Sequence, residues 1–148
     1  MSKINRIETD EFWADSTIIE AGNFVYTSYC MKNEGEPIEN QINGAIDVLE
    51  ERLKKIGLPL ESVVQMDCLF ANIADLNFLP GVLKNRFKGK YPARKAYETK
   101  FIREGIKFQI DAVAFKEYLE QRADKASVGK FKYVLSKVPG VEPADFDK

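Results

Sequence analysis

Apolar residues recur along this chain with two different periods. Ile38, Ile42, Ile46, Leu49, Leu53 and Ile56 fall three or four positions apart, and Glu39, Asn40, Asp47, Glu50, Glu51, Lys54 and Lys55 stand between them. That spacing puts the apolar residues on one stripe of a helix and the charges on the opposite side. Pro37 suits its first turn, where a missing N–H costs no helical bond, and Gly57 followed by Pro59 stops it. Residues 63–73 are rich in strand formers, with Val64, Met66, Cys68 and Phe70 expected on one face at period two. Leu76, Leu79, Leu83 and Phe87 predict a second helix over 75–87. Pro80 and Gly81 weaken its first half, so it starts late or kinks there.

Around these elements the remaining segments read as strands. Residues 16–30 carry β-branched and aromatic residues on both sides of Gly22-Asn23, which predicts a hairpin, with an earlier strand around 4–7. Tyr91-Pro92 forces an extended path. Beyond it, Arg94, Ala96 and Glu98 alternate with Lys95, Tyr97 and Thr99. A last strand over 106–115 has Phe108, Ile110, Ala112 and Ala114 on an apolar face and Gln109, Asp111, Val113 and Phe115 on a mixed one. The order predicts an α+β domain over residues 1–116, one sheet with two helices on one face. Residues 117–148 are expected to be a carboxy-terminal extension docked on the same domain, through Phe131, Tyr133 and Leu135.

Composition narrows the chemistry. The 148 residues hold 45% hydrophobic side chains, enough for one buried core, and 22 basic against 23 acidic residues, so no net field draws the chain to nucleic acid or a membrane. There is no histidine, which excludes Ser-His-Asp and Cys-His catalysis and every metal site built on imidazole. Cys30 and Cys68 have no metal-ligand spacing and are too few for a disulfide scaffold, so a reducing, cytoplasmic location is expected. No apolar run approaches the roughly 20 residues of a membrane span, and no secretory leader is expected after Met-Ser-Lys-Ile-Asn-Arg. Neither a metal nor a cofactor is expected.

Three pieces stand in a recognisable order: Glu20-Ala-Gly-Asn-Phe-Val-Tyr-Thr-Ser28, the helix ending near Gly57, and Tyr91-Pro-Ala-Arg94-Lys-Ala-Tyr-Glu98. The Pro-Ala-Arg tripeptide opens a strand between a helix ending in Phe87 and a last strand ending Ile-Asp-Ala-Val-Ala. In this set the chain resembles the RidA/YjgF family over residues 16–115. The resemblance implies a chorismate-mutase-like fold, a homotrimer whose sheets form a barrel, and small-molecule sites in clefts between subunits. It also implies hydrolysis of reactive enamines and imines to 2-keto acids and ammonia without a cofactor. Arg94 matches the arginine that grips the substrate carboxylate. Gln109 stands where the family has a water-handling glutamate, and Asp111 matches a second acidic position. Tyr29 replaces a glycine and is expected to narrow or line the cleft.

Each candidate has a physical reason. Guanidinium offers a planar fork that meets both oxygens of a carboxylate and stays charged in a dry cleft. The Gln109 amide can hold a water but cannot exchange its proton near neutral pH, which leaves Asp111, two residues along the same face, as the nearest acid–base group. Ser28 is expected to donate a hydrogen bond to a ligand, and Cys30 to end the same strand at the cleft. Cys68, between Met66 and Phe70, reads as core. The expected partners are a small 2-keto or imino acid and two further copies of the chain. A non-catalytic sensing or partner-binding module is the alternative. Residues 84–107 hold nine basic side chains against Glu98 and Glu104; such runs are usually solvated faces, and RNA binding is not expected from this one.

Overall fold

A computed structural model describes residues 3–117, so the expected extension with Phe131, Tyr133 and Leu135 lies outside the described residues. The strands are β1 Ile4–Asp10, β2 Asp15–Ala21, β3 Phe24–Thr27, β4 Val63–Phe70, β5 Ala93–Glu98 and β6 Phe108–Phe115, and the helices are α1 Ile38–Lys54 and α2 Leu79–Phe87. They form one mixed sheet in the order β1-β2-β3-β6-β4-β5. Among the described strands only the β4–β5 pair is parallel. The architecture is α+β, with the helices supplying Ile42, Ile46, Leu49, Leu53, Leu79, Leu83 and Phe87 to the same core as the inward side chains of the sheet. Among the described residues no helix is long and apolar enough to cross a membrane.

The β6 pattern follows the expected alternation, with Phe108, Ile110, Ala112 and Ala114 buried and their neighbours half-buried. One expectation needs correction. Val64 was placed on the inner face of β4, yet it is exposed while Val63 is buried. A register shift between Val63 and Gln65 inserts one residue opposite β6, which turns Val64 outward. The second helix does start late: a 3-10 turn over Ile73–Phe78 precedes α2, and Pro80 sits in the first helical turn, where its missing N–H is tolerated.

Two polar side chains are buried among the described residues, Gln41 and Ser62, and the first was not legible in the pattern. Gln41 Nε2 donates to Glu36 O (2.9 Å) and Gly105 O (3.0 Å), and its Oε1 accepts from Lys107 N (2.9 Å). It thus ties the start of α1 to the chain entering β6, just ahead of Gln109. Gln41→Leu fills the space but leaves those backbone groups unpaired, so denaturant titration should show a loss of about 1–3 kcal/mol. Unchanged stability would mean that water replaces the amide.

Candidate functional site

After β3 the chain stays attached to the sheet. Ser28 N donates to Thr17 O (3.0 Å), and Cys30 and Ile110 exchange backbone hydrogen bonds of 2.6 and 3.1 Å. From the last turn of α1, Arg52 Nη1 donates to Ser28 O and Tyr29 O, both at 2.9 Å, and lies 3.2 Å from Cys30 Sγ. This clamp holds residues 28–30 against the helix. A cavity of about 550 Å³ opens beside it, with Ser28, Tyr29, Met31 and Arg52 in its wall. Cys30 itself is fully buried. Burial pushes its thiol up, against the opposing charge of Arg52, so it contributes to the site through backbone position rather than as a reactive thiolate.

Gln109 and Asp111 lie on the sheet face away from the helices. Gln109 Nε2 is 3.3 Å from Met31 Sδ, which connects it to the cavity wall. Asp111 stands directly opposite Asp67 in the β4–β6 register, and Lys95 Nζ lies 3.8 Å from Asp67 Oδ1, too far for a hydrogen bond. Burial raises the Asp111 carboxyl above its ordinary range, Asp67 raises it further, and Lys95 partly opposes both. A folded-state pKa above the unfolded one means the native chain holds this proton more tightly. Ionising Asp111 therefore costs stability as pH rises through the raised value, and the cost vanishes as pH falls to about 4. Asp111→Asn should accordingly melt higher than the wild type at neutral pH and equally at about pH 4. A gain that persists undiminished in acid would assign it to something other than charge.

Arg94 is the second residue of β5, an edge strand of the described sheet, and is exposed. Among the described residues it forms no ion pair; Glu98, on the same strand, accepts from Ile73 N at 3.3 Å. Arg94 is in register with Met66, so it shares the face of Met66 and Cys68, opposite to that of Gln109 and Asp111. Burial pushes the Cys68 thiol up to about 12, with the Arg94 charge the main opposing influence. From β5 to β3 the sheet counts β5-β4-β6-β3. Three spacings of about 4.8 Å put Arg94 about 14 Å from the segment bearing Ser28 and Tyr29. One chain therefore brings Ser28, Tyr29 and Arg52 to one cavity, with Gln109 behind Met31 of its wall, and leaves Arg94 away from it.

The basic stretch over 84–107 is not one free surface: Arg86 pairs with Asp47 and Glu50, Lys95 faces Asp67, and Arg103 pairs with Glu34. Met31, Arg52 and Asp67 went unrecognised in the sequence. Arg52 adjoins Leu53 of the apolar stripe, a position from which a long side chain can reach past the helix, but its acceptors are 22 to 24 residues away. Asp67 shares a face with Gln65 and Leu69, and nothing local shows that it meets Asp111.

Comparison with known proteins bears on the family and the fold. The family model described as Endoribonuclease L-PSP matches residues 5–116. The human 2-iminobutanoate/2-iminopropanoate deaminase is 32% identical over 53% of this chain and 58% of its own length. The rat protein of the same name is 31% identical over 52% and 56%. The chain thus spans little more than half the length of the curated relatives it matches. A solved hypothetical protein of the yjgF family from Streptococcus pyogenes superposes with TM-score 0.75 at 44% identity, covering 78% of this chain and 98% of that one. A YjgF-family structure from Neisseria meningitidis, 20% identical, shares the fold with TM-score 0.71, covering 77% and 95%.

Proposed function

Because the chain belongs to the family described as Endoribonuclease L-PSP, the RidA/YjgF family of its motifs, we propose that it binds a small 2-keto or imino acid between subunits of a cytoplasmic homotrimer and hydrolyses enamines or imines without a cofactor. The observation that carries this reading is the position of Arg94: without an ion pair among the described residues, on an edge strand, about 14 Å from the Ser28–Tyr29 cavity of its own chain. A guanidinium so placed serves a neighbouring copy's cavity better than its own. The fork holds the ligand carboxylate and Ser28 adds a hydrogen bond. Gln109 holds a water by its amide, and the water oxygen adds to the imine carbon. Asp111, whose carboxyl favours its proton, gives that proton to nitrogen and takes up the one that the added water sheds. The resulting amino alcohol collapses to a keto group and ammonia, so the atoms of imine plus water are all accounted for.

Single-turnover ammonia release from freshly generated 2-aminoacrylate tests the reaction, and sedimentation tests the trimer. The rate should be measurable yet slow, since the group at 109 cannot act as a base. That same glutamine favours a second reading, a binding module that retains the arginine and has lost the chemistry. No ammonia release, together with an Arg94-dependent rise in melting temperature on adding 2-keto acids, would select it. Binding to single-stranded RNA that weakens steeply with salt would instead favour the activity named by the family description.

A further inference from the structure

We infer that the cavity beside Ser28 and Tyr29 selects acids with a bulky apolar, preferably aromatic, side chain over three- and four-carbon acids; this rests on the carboxylate-binding function proposed above. The first argument is size. The cavity holds about 550 Å³. Even at roughly 30 Å³ per heavy atom, the share of a liquid water, a six-atom acid occupies roughly 180 Å³. Most of the space remains for a side chain.

The second argument is the wall. Trp13 (76% exposed), Ile102 (80%) and Tyr29 (51%) come from three separate segments and border this one cavity, with Met31 adding a polarizable, adaptable side chain. Single exposed apolar residues need no explanation, but their convergence on one concavity marks a ligand surface. The tryptophan is held in place: Asp10 Oδ1 accepts from Phe12 N (2.9 Å) and Trp13 N (3.1 Å), and the Phe12 ring packs edge-on to Trp13 at 5.0 Å between centroids. The polar groups nearby are largely committed within the chain, Arg52 through Nη1 to residues 28–30 and Arg103 to Glu34 at 2.6 Å. Asp10 and Asp15 also border the cavity, and their charge disfavours a second carboxylate on the ligand.

The test is calorimetric titration of the full chain with pyruvate, 2-ketoglutarate and phenylpyruvate. Because Trp13 is the sole tryptophan, its fluorescence reports occupancy by the ultraviolet-transparent 4-methyl-2-oxopentanoate. Phenylpyruvate is expected to bind about 10- to 100-fold more tightly than pyruvate, as burial of a phenyl ring implies, and 2-ketoglutarate no better than pyruvate. Trp13→Ala and Ile102→Ser change exposed side chains, so thermal melts of the unliganded variants should match the wild type, and both should erase the preference. Equal affinities in the wild type, or a preference that survives both substitutions, would overturn the inference and leave the function above standing. A preference insensitive to Arg94→Ala would uphold this pocket and remove Arg94 from it. Failure of every acid to bind overturns both.

Discussion

Arg94→Ala is expected to weaken 2-keto acid binding at least about 100-fold and to abolish ammonia release from 2-aminoacrylate. A bidentate guanidinium–carboxylate pair is among the stronger polar contacts a protein makes, and a tenfold change in affinity corresponds to about 1.4 kcal/mol. Losing two such contacts in a cleft shielded from water accounts for the factor. Stability should hardly change, because Arg94 is exposed and forms no ion pair among the described residues, and surface substitutions of this kind usually stay within about 0.5 kcal/mol. Arg94→Lys should recover only part of the affinity, since an ammonium cannot engage both oxygens in one plane. Titration calorimetry with pyruvate, alongside thermal melts of the unliganded variants, measures both quantities. An Arg94→Ala protein that binds and turns over like the wild type would end the proposal.

Gln109→Glu is expected to raise the enamine-hydrolysis rate by about 100-fold or more, the usual contribution of a positioned general base. The new carboxylate would stand on the same face as Asp111 and beside Met31, where the amide already reaches the cavity wall. It would take a proton from the attacking water instead of only holding it. The gain should grow with pH through the carboxylate range and then level, and it should vanish in the Gln109→Glu, Arg94→Ala double variant, because a base without a gripped substrate has nothing to act on. Stopped-flow ammonia release across pH separates these outcomes. A rate that stays flat while affinity is retained would favour the binding module over the enzyme.

Much of the scaffold was legible because its patterns are local. The stripe from Ile38 to Ile56 needs only the helical period, and the alternation from Phe108 to Phe115 only the pleat. Pro80 announced a late-starting helix by chemistry carried within one residue. Val64 shows where local reading stops: a single inserted residue reverses a strand's faces, and the insertion is defined only against β6. Gln41 is similar, a glutamine at a helical position like many others until residues 105 and 107 arrive to use both ends of its amide.

From sequence alone came the α+β class, the inward face of each helix and of β6, the absence of imidazole chemistry, and Arg94 in its Pro-Ala-Arg setting. Tertiary structure decided that Arg94 and the Ser28–Tyr29 cavity stand apart within one chain, that Arg52 clamps residues 28–30, and that Asp67 faces Asp111. Side-chain periodicity is a property of neighbours along the backbone, so it survives in a string of letters. Strand order and register are set by contacts between distant segments, and those exist only once the sheet has assembled.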